Sequence, residues 1–146
     1  MLALAVPLIA IQFIQPARNK SVQVLPAEFG NLYTVPDSVK PILQNACYDC
    51  HSNNTNYPWY TSIQPVGWIM AKHIKKGKEY LNFSEFGNYT NRRQISKLKS
   101  IINQIKDDEM PLSSYRIMHL NARLSTEEKK LITDWISKKV DSLIAN

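Results

Sequence analysis

Asp37-Ser38-Val39-Lys40-Pro41-Ile42-Leu43-Gln44-Asn45-Ala46 runs straight into Cys47-Tyr48-Asp49-Cys50-His51, and this stretch decides the fold. Val39, Ile42, Leu43 and Ala46 recur at helical spacing and share one face. Asp37 is a candidate cap at the helix start. Pro41 falls in the first turn, where a missing N–H does little harm. The spacing therefore predicts a helix over 37–46 that closes in a cysteine pair with a histidine beside it. Two cysteines three residues apart lie on one side of a helical turn, and the adjacent histidine presents a ring nitrogen toward that same side.

Three ordinary explanations fit this string poorly. A thioredoxin-like C-x-x-C opens a helix after a strand, whereas this one closes a helix with no strand before it. A zinc site needs four ligands; Cys47 and Cys50 would have to recruit His73 or His119, and no second ligand pair is spaced for it. A plain disulfide leaves His51 without a role. Cys47 and Cys50 are the only cysteines in the chain, so a multi-disulfide scaffold is excluded. C-x-x-C-H is the attachment string for one covalently bound haem c. The expected roles are thioether links from Cys47 and Cys50 and a proximal iron ligand from His51.

The sixth ligand is open among several residues. Met110 precedes Pro111, which disfavours helical backbone at Met110 and places it in a loop between two helices. It is the leading candidate for the distal iron ligand, with His73 and His119 as alternatives. The ordinary reading of His73 is a surface or hydrogen-bonded histidine, and that of His119 a hydrogen bond pinning its loop. Met70 and Met118 read as core filler. Trp59, Tyr60 and Trp68 follow the motif closely, and Trp59 and Trp68 are candidates to wall a haem face.

The 146 residues make one domain with a real core. Hydrophobic residues form 44% of the chain, which argues against disorder. Four glycines and no G-x-G-x-x-G or P-loop string make a phosphate-binding loop unexpected. Helices are expected over 65–80, with Trp68, Ile69 and Ile74 inward, and over 91–107, with Ile95, Leu98, Ile101, Ile102 and Ile105 as the apolar stripe. A last helix should begin at a capping box formed by Ser125 and Glu128 and continue through Leu131, Ile132, Trp135, Ile136 and Val140. Residues 107–122 read as a long ordered loop. With no convincing strand, the fold class is all-α, a bundle of about four helices around one haem.

Leu2 to Ile14 carry no charge, and as a helix they are too short to span a bilayer. Apolar on every side, they read as an export signal retained as an anchor. The expected division is an apolar signal or anchor segment over 1–16, a polar linker over 17–36 and a haem c domain over 37–146. The expected location is the periplasmic side of the inner membrane, or the soluble periplasm if the segment is cleaved. The net charge is +6, but the basic residues are spread along helices and no nucleic-acid motif is present. A solvated face, or steering toward a redox partner with an acidic docking face, is the expectation.

From about Gln12 onward the chain resembles the bacterial haem-binding-domain proteins, small anchored c-type monohaem proteins. The matching strings are IQFIQP at 11–16, CYDCHSNNTNYPWY at 47–60, HIKKGKEYLNFSEF at 73–86, EMPLSSY at 109–115 and HLNARLS at 119–125, with the Trp135 helix behind them. More distantly, the order helix, C-x-x-C-H, two helices, Met-Pro, last helix is similar to class I cytochrome c. There the methionine before proline is the distal ligand, which carries over onto Met110. The string from His73 to Gly77 has no class I counterpart. The resemblance implies the fold and the cofactor, and the expected function is an exported, membrane-tethered carrier of single electrons with no catalysis of its own. The alternative is a haem-based sensor or a small peroxidase-like protein with an open sixth position.

Overall fold

The computed structural model describes residues 2–21 and 23–145. Met1, Val22 and Asn146, one in each expected segment, lie outside the described residues. The chain is mostly helical and has no strand among the described residues; Lys20 and Asn54 make one isolated bridge. In chain order, α1 (Leu2–Ala10) runs into a 3-10 turn (Ile11–Phe13), and α2 (Phe29–Leu32) is a single turn. A helical rod follows, composed of α3 (Lys40–Leu43), a wider π-wound stretch (Gln44–Tyr48) and α4 (Asp49–His51). Then come α5 (Val66–Tyr80), α6 (Asn91–Lys106), α7 (Ser113–Met118) and α8 (Thr126–Ala145).

The core forms where α6 and α8 pack together. Leu98 and Ile105 of α6, and Ile132, Trp135, Ile136 and Val140 of α8, share one cluster with Val39, Ile42 and Leu43 of the rod. Phe29 sits fully buried among four rings, with centroids 5.1 Å from Tyr33, 5.1 Å from Phe83, 4.9 Å from Phe86 and 5.8 Å from Trp135, all edge-to-face. Edge-to-face pairs add about 0.5–1.5 kcal/mol each beyond the area they bury. The start of α8 matches its expectation. Ser125 Oγ accepts from the Glu128 N–H at 3.1 Å, and Glu128 Oε2 accepts from the Ser125 N–H at 2.8 Å.

Several expectations need correction. The stretch read as a linker over 17–36 belongs to the fold: Phe29 and Val35 are core residues, and Asn19 binds the loop after the motif. Isolated anchors of this kind leave no period to read. Asp37 does not cap the rod; its carboxylate pairs with Lys40 at 2.8 Å on the surface. Residues 107–122 contain α7 and a 3-10 turn (Leu120–Ala122) rather than loop alone. No helix among the described residues is long and apolar enough to cross a membrane, so a spanning anchor is not found among them.

The inward face of α5 also differs from expectation. Ile74 is buried as expected, but Trp68 and Ile69 are exposed, and the buried positions are Gly67, Met70 and Ile74. Glycine decides this. A Cβ at Gly67 would lie 2.4 Å from the Thr61 carbonyl oxygen, and one at Gly77 would lie 2.6 Å from that of Cys50. At these two points the helix meets different neighbours backbone to backbone, and the bulky Trp68 and Ile69 stand outward.

Candidate functional site

The motif closes the helical rod, with Cys47 in the π-wound stretch and Cys50 and His51 in α4. Helix α5 packs against α4, and its near-bare backbone at Gly77 allows the approach. The result is a fixed histidine. His51 Nδ1 lies 3.0 Å from the Gly77 carbonyl oxygen and 3.1 Å from that of Leu81. A carbonyl only accepts, so Nδ1 carries the proton and Nε2 keeps its lone pair. Burial lowers the His51 pKa, outweighing the opposing effect of the two carbonyls. The Phe83 ring stands edge-on to His51 at 6.5 Å.

The two thiols are free. Burial, with the neighbouring Cys50 as a smaller contribution, pushes Cys47 up to about 12. Burial and then the Asp49 charge push Cys50 up to about 11. A redox-active dithiol is favoured by a lowered value that supplies thiolate, and burial here acts in the opposite direction. No group of three or more His, Cys, Asp or Glu among the described residues is placed to hold a metal ion, which leaves the zinc alternative without a ligand set.

The loop after the motif explains its asparagines. Asn53 N–H donates to Ser84 Oγ at 3.0 Å, and its amide donates to Glu85 Oε1 at 3.1 Å. Asn82 Nδ2 donates to Asn53 Oδ1 at 3.0 Å. Asn19 Nδ2 donates to the Ser52 carbonyl at 2.8 Å and to Thr55 Oγ1 at 2.9 Å. These short polar side chains fasten the loop leaving His51 to the segments on both sides of it.

On its other flank the motif helix is tied to α7. Tyr115 Oη donates to Asp49 Oδ2 at 2.7 Å. Burial and this carboxylate raise the Tyr115 pKa, keeping it a phenol. The His119 ring stacks on Tyr115 at 3.9 Å. His119 Nδ1 donates to the Tyr115 carbonyl at 3.1 Å, and Tyr60 Oη donates to His119 Nε2 at 3.0 Å. Asp49, Tyr115 and His119 line a cleft of about 540 Å³ together with Asn56, Met118 and Ala122.

The remaining candidates fall in different places. Met110 is half-buried at the end of the turn after α6, with its N–H on the Gln104 carbonyl at 3.1 Å; α7 begins just beyond Pro111. His73 is half-buried on α5, and its side chain makes no hydrogen bond, ion pair or ring contact among the described residues. Met70 is buried, as core filler should be, but Met118 is exposed. Trp59 is 77% exposed with its ring against Tyr60. Trp68 is turned to the amino-terminal segment, where its indole N–H donates to the Ile14 carbonyl at 2.9 Å. Sequence reasoning missed Gly77 and Leu81 as the support of His51, and Asp49, Tyr60 and Tyr115 as a network. The glycine four residues after His73 was the available signal for the first of these.

The helical module thus holds one histidine whose Nδ1 is fixed by backbone carbonyls, beside two free thiols. Residues 6–138 match the haem-binding domain model, and the chain belongs to that family. Comparison with curated proteins and with solved structures gave no match. The residues present fit haem, since His51 has the tautomer an iron ligand needs and its Nε2 has no hydrogen-bond partner among the described residues.

Proposed function

We propose that this haem-binding-domain protein is an exported, membrane-associated c-type cytochrome that carries single electrons between redox partners. Cys47 and Cys50 would hold the porphyrin through thioethers, His51 would be the proximal ligand, and Met110 the distal one. The observation that carries the reading is the His51 Nδ1–H bonded to the Gly77 and Leu81 carbonyls. Such a bond fixes ring orientation and raises the basicity of the ligating nitrogen. When bound, haem supplies a one-electron couple whose potential depends on its axial ligands and their hydrogen bonds.

The choice of Met110 is supported by what the histidines do. Both ring nitrogens of His119 are engaged, by Tyr60 and by the Tyr115 backbone. His73 stands on α5, the helix that holds His51 from behind, and so belongs to the proximal side. Met110 lies outside both arrangements, on the chain leading into α7. The positive charge, +6 overall, suits a partner with an acidic docking face. A carrier of this kind requires no acid or base of its own.

The test is the absorption spectrum of the purified protein, oxidised and reduced, with and without carbon monoxide. The reading expects low-spin haem that survives denaturing electrophoresis, is indifferent to carbon monoxide, and shows a sulfur-to-iron band at the red edge. In Met110→Ala that band should vanish and the reduced form should take up carbon monoxide, whereas His73→Ala and His119→Ala should keep the native spectrum. Native protein that takes up carbon monoxide freely would refute the carrier and favour a sensor or peroxide chemistry. An unchanged Met110→Ala spectrum would refute the distal ligand alone.

A further inference from the structure

One end of the molecule is apolar and uncovered. Every residue of α1 from Ala5 to Ala10 is exposed, and its continuation ends in Phe13, 84% exposed, and Ile14. This segment is fastened to the domain by polar bonds. Gln12 Oε1 accepts from the Gln64 N–H at 2.8 Å, Gln15 Nε2 donates to the Ser62 carbonyl at 3.1 Å, and Trp68 donates to Ile14. Beside it the folded domain presents Ile63 (47% exposed), Val66 (40%) and Ile69 (52%). Further along α5 come Lys72, Lys75 and Lys76, none of them in an ion pair among the described residues. By the helical rise, Lys72 is about 4.5 Å and Lys76 about 10.5 Å beyond Ile69 along the axis.

We infer that the folded domain itself lies on a bilayer containing anionic phospholipid, with Ile63, Val66 and Ile69 at the headgroup–acyl boundary and the lysines of α5 in the headgroup layer. The inference deepens the membrane-associated reading above and rests on it. Two arguments select lipid over a protein partner. A helix presented to a protein groove buries one stripe, whereas α1 is apolar around its circumference and exposed at each residue from Ala5 to Ala10, so it suits a medium that is apolar on every side. The change from apolar side chains to unpaired cations within two turns of α5 also follows the polarity profile of a negatively charged leaflet. A tryptophan at the junction, its N–H on a backbone carbonyl, is the residue usually found at that depth.

The test is hydroxyl-radical footprinting of the full chain, with and without phosphatidylglycerol vesicles. Oxidation of Ile63, Val66 and Ile69 should fall several-fold on the vesicles, while Ile117 and Leu120, exposed on and beside α7, should not change. Protection confined to Val6–Ile14 would overturn the inference and leave a tether alone. Absence of protection anywhere would overturn the membrane reading as well, leaving the haem reading untouched. Protection that rises with protein concentration without vesicles would overturn it in favour of a second copy of the chain. In Lys72→Gln/Lys76→Gln, partitioning onto phosphatidylglycerol vesicles should weaken about 30-fold and onto phosphatidylcholine hardly at all. Equal loss on both lipids would also overturn it.

Discussion

Replacing Gly77 by alanine puts a methyl carbon 2.6 Å from the Cys50 carbonyl oxygen, 3.2 Å from its carbonyl carbon and 3.3 Å from its Cβ. No flexible side chain stands in between, so the helix itself must give way. Reaching ordinary contact means withdrawing α5 by about 0.8 Å. That stretches the 3.0 Å bond from His51 Nδ1 to the Gly77 carbonyl out of hydrogen-bond range. Overpacking of this kind costs about 1–3 kcal/mol, and the lost hydrogen bond about 1 kcal/mol. Alanine's better helix propensity returns about 1 kcal/mol. The net expectation is a loss of about 1–3 kcal/mol, or about 3–9 °C in Tm for a chain of this size. Gly30→Ala supplies the internal comparison, because a Cβ there meets nothing within 4 Å and only the propensity gain remains. Thermal unfolding of both variants, followed by circular dichroism, decides the matter. A Gly77→Ala protein as stable as Gly30→Ala would refute the backbone-contact argument and, with it, the account of how His51 is held.

Tyr115→Phe removes the donor to Asp49 but keeps the ring that stacks on His119; because the site is half-buried, the expected loss is about 1–2 kcal/mol in urea unfolding. Ser125→Ala breaks the capping box of α8 and should cost about 1 kcal/mol in the same assay, with Ser125→Gly costing less. The haem-free chain should lose stability in mild acid. Burial lowers the His51 pKa in the fold, so the unfolded chain takes the proton more readily. That contribution is complete above the ordinary imidazole value of about 6.5 and is lost as the pH falls through the lowered one. Urea midpoints measured from pH 8 to 4 should show the decline, and His51→Gln should flatten it.

What was legible in the sequence was whatever repeats or carries a fixed chemical spacing. The helices over 66–80 and 91–106, the Ser125–Glu128 box and C-x-x-C-H are of this kind. Phe29 and Val35 were illegible for the opposite reason. Each is one apolar residue in a proline-bearing stretch with no helical period, and the bonds that hold that stretch, such as Asn19 to the Ser52 carbonyl and the Gly87 N–H to the Ala27 carbonyl, join it to distant segments. The outward turn of Trp68 and Ile69 was missed because hydrophobic periodicity weighs side chains, and α5 is positioned by the absence of side chains at Gly67 and Gly77. At the candidate site, His51 and the cysteines stand out by their spacing, but the protonated nitrogen of His51 depends on two carbonyls, and carbonyls leave no mark on residue identity.

That last point gives the H-x-x-x-G string a physical content. Its glycine sits where α5 touches the backbone of Cys50, and the same residue's carbonyl accepts from His51. Any side chain there separates the helix from the motif and weakens the bond at the same stroke. The helix therefore acts as the back wall of His51, positioned by steric permission rather than by attraction. Its opposite exposed face remains free to carry apolar residues at one end and lysines beyond them. A bulky substitution at Gly77 should thus disturb His51 while leaving the outward face of α5 intact, whereas changes at Ile69 or Lys76 should spare His51. Independence of these two sets of variants, in ligand spectrum on one side and vesicle partitioning on the other, is what this division of labour along α5 requires.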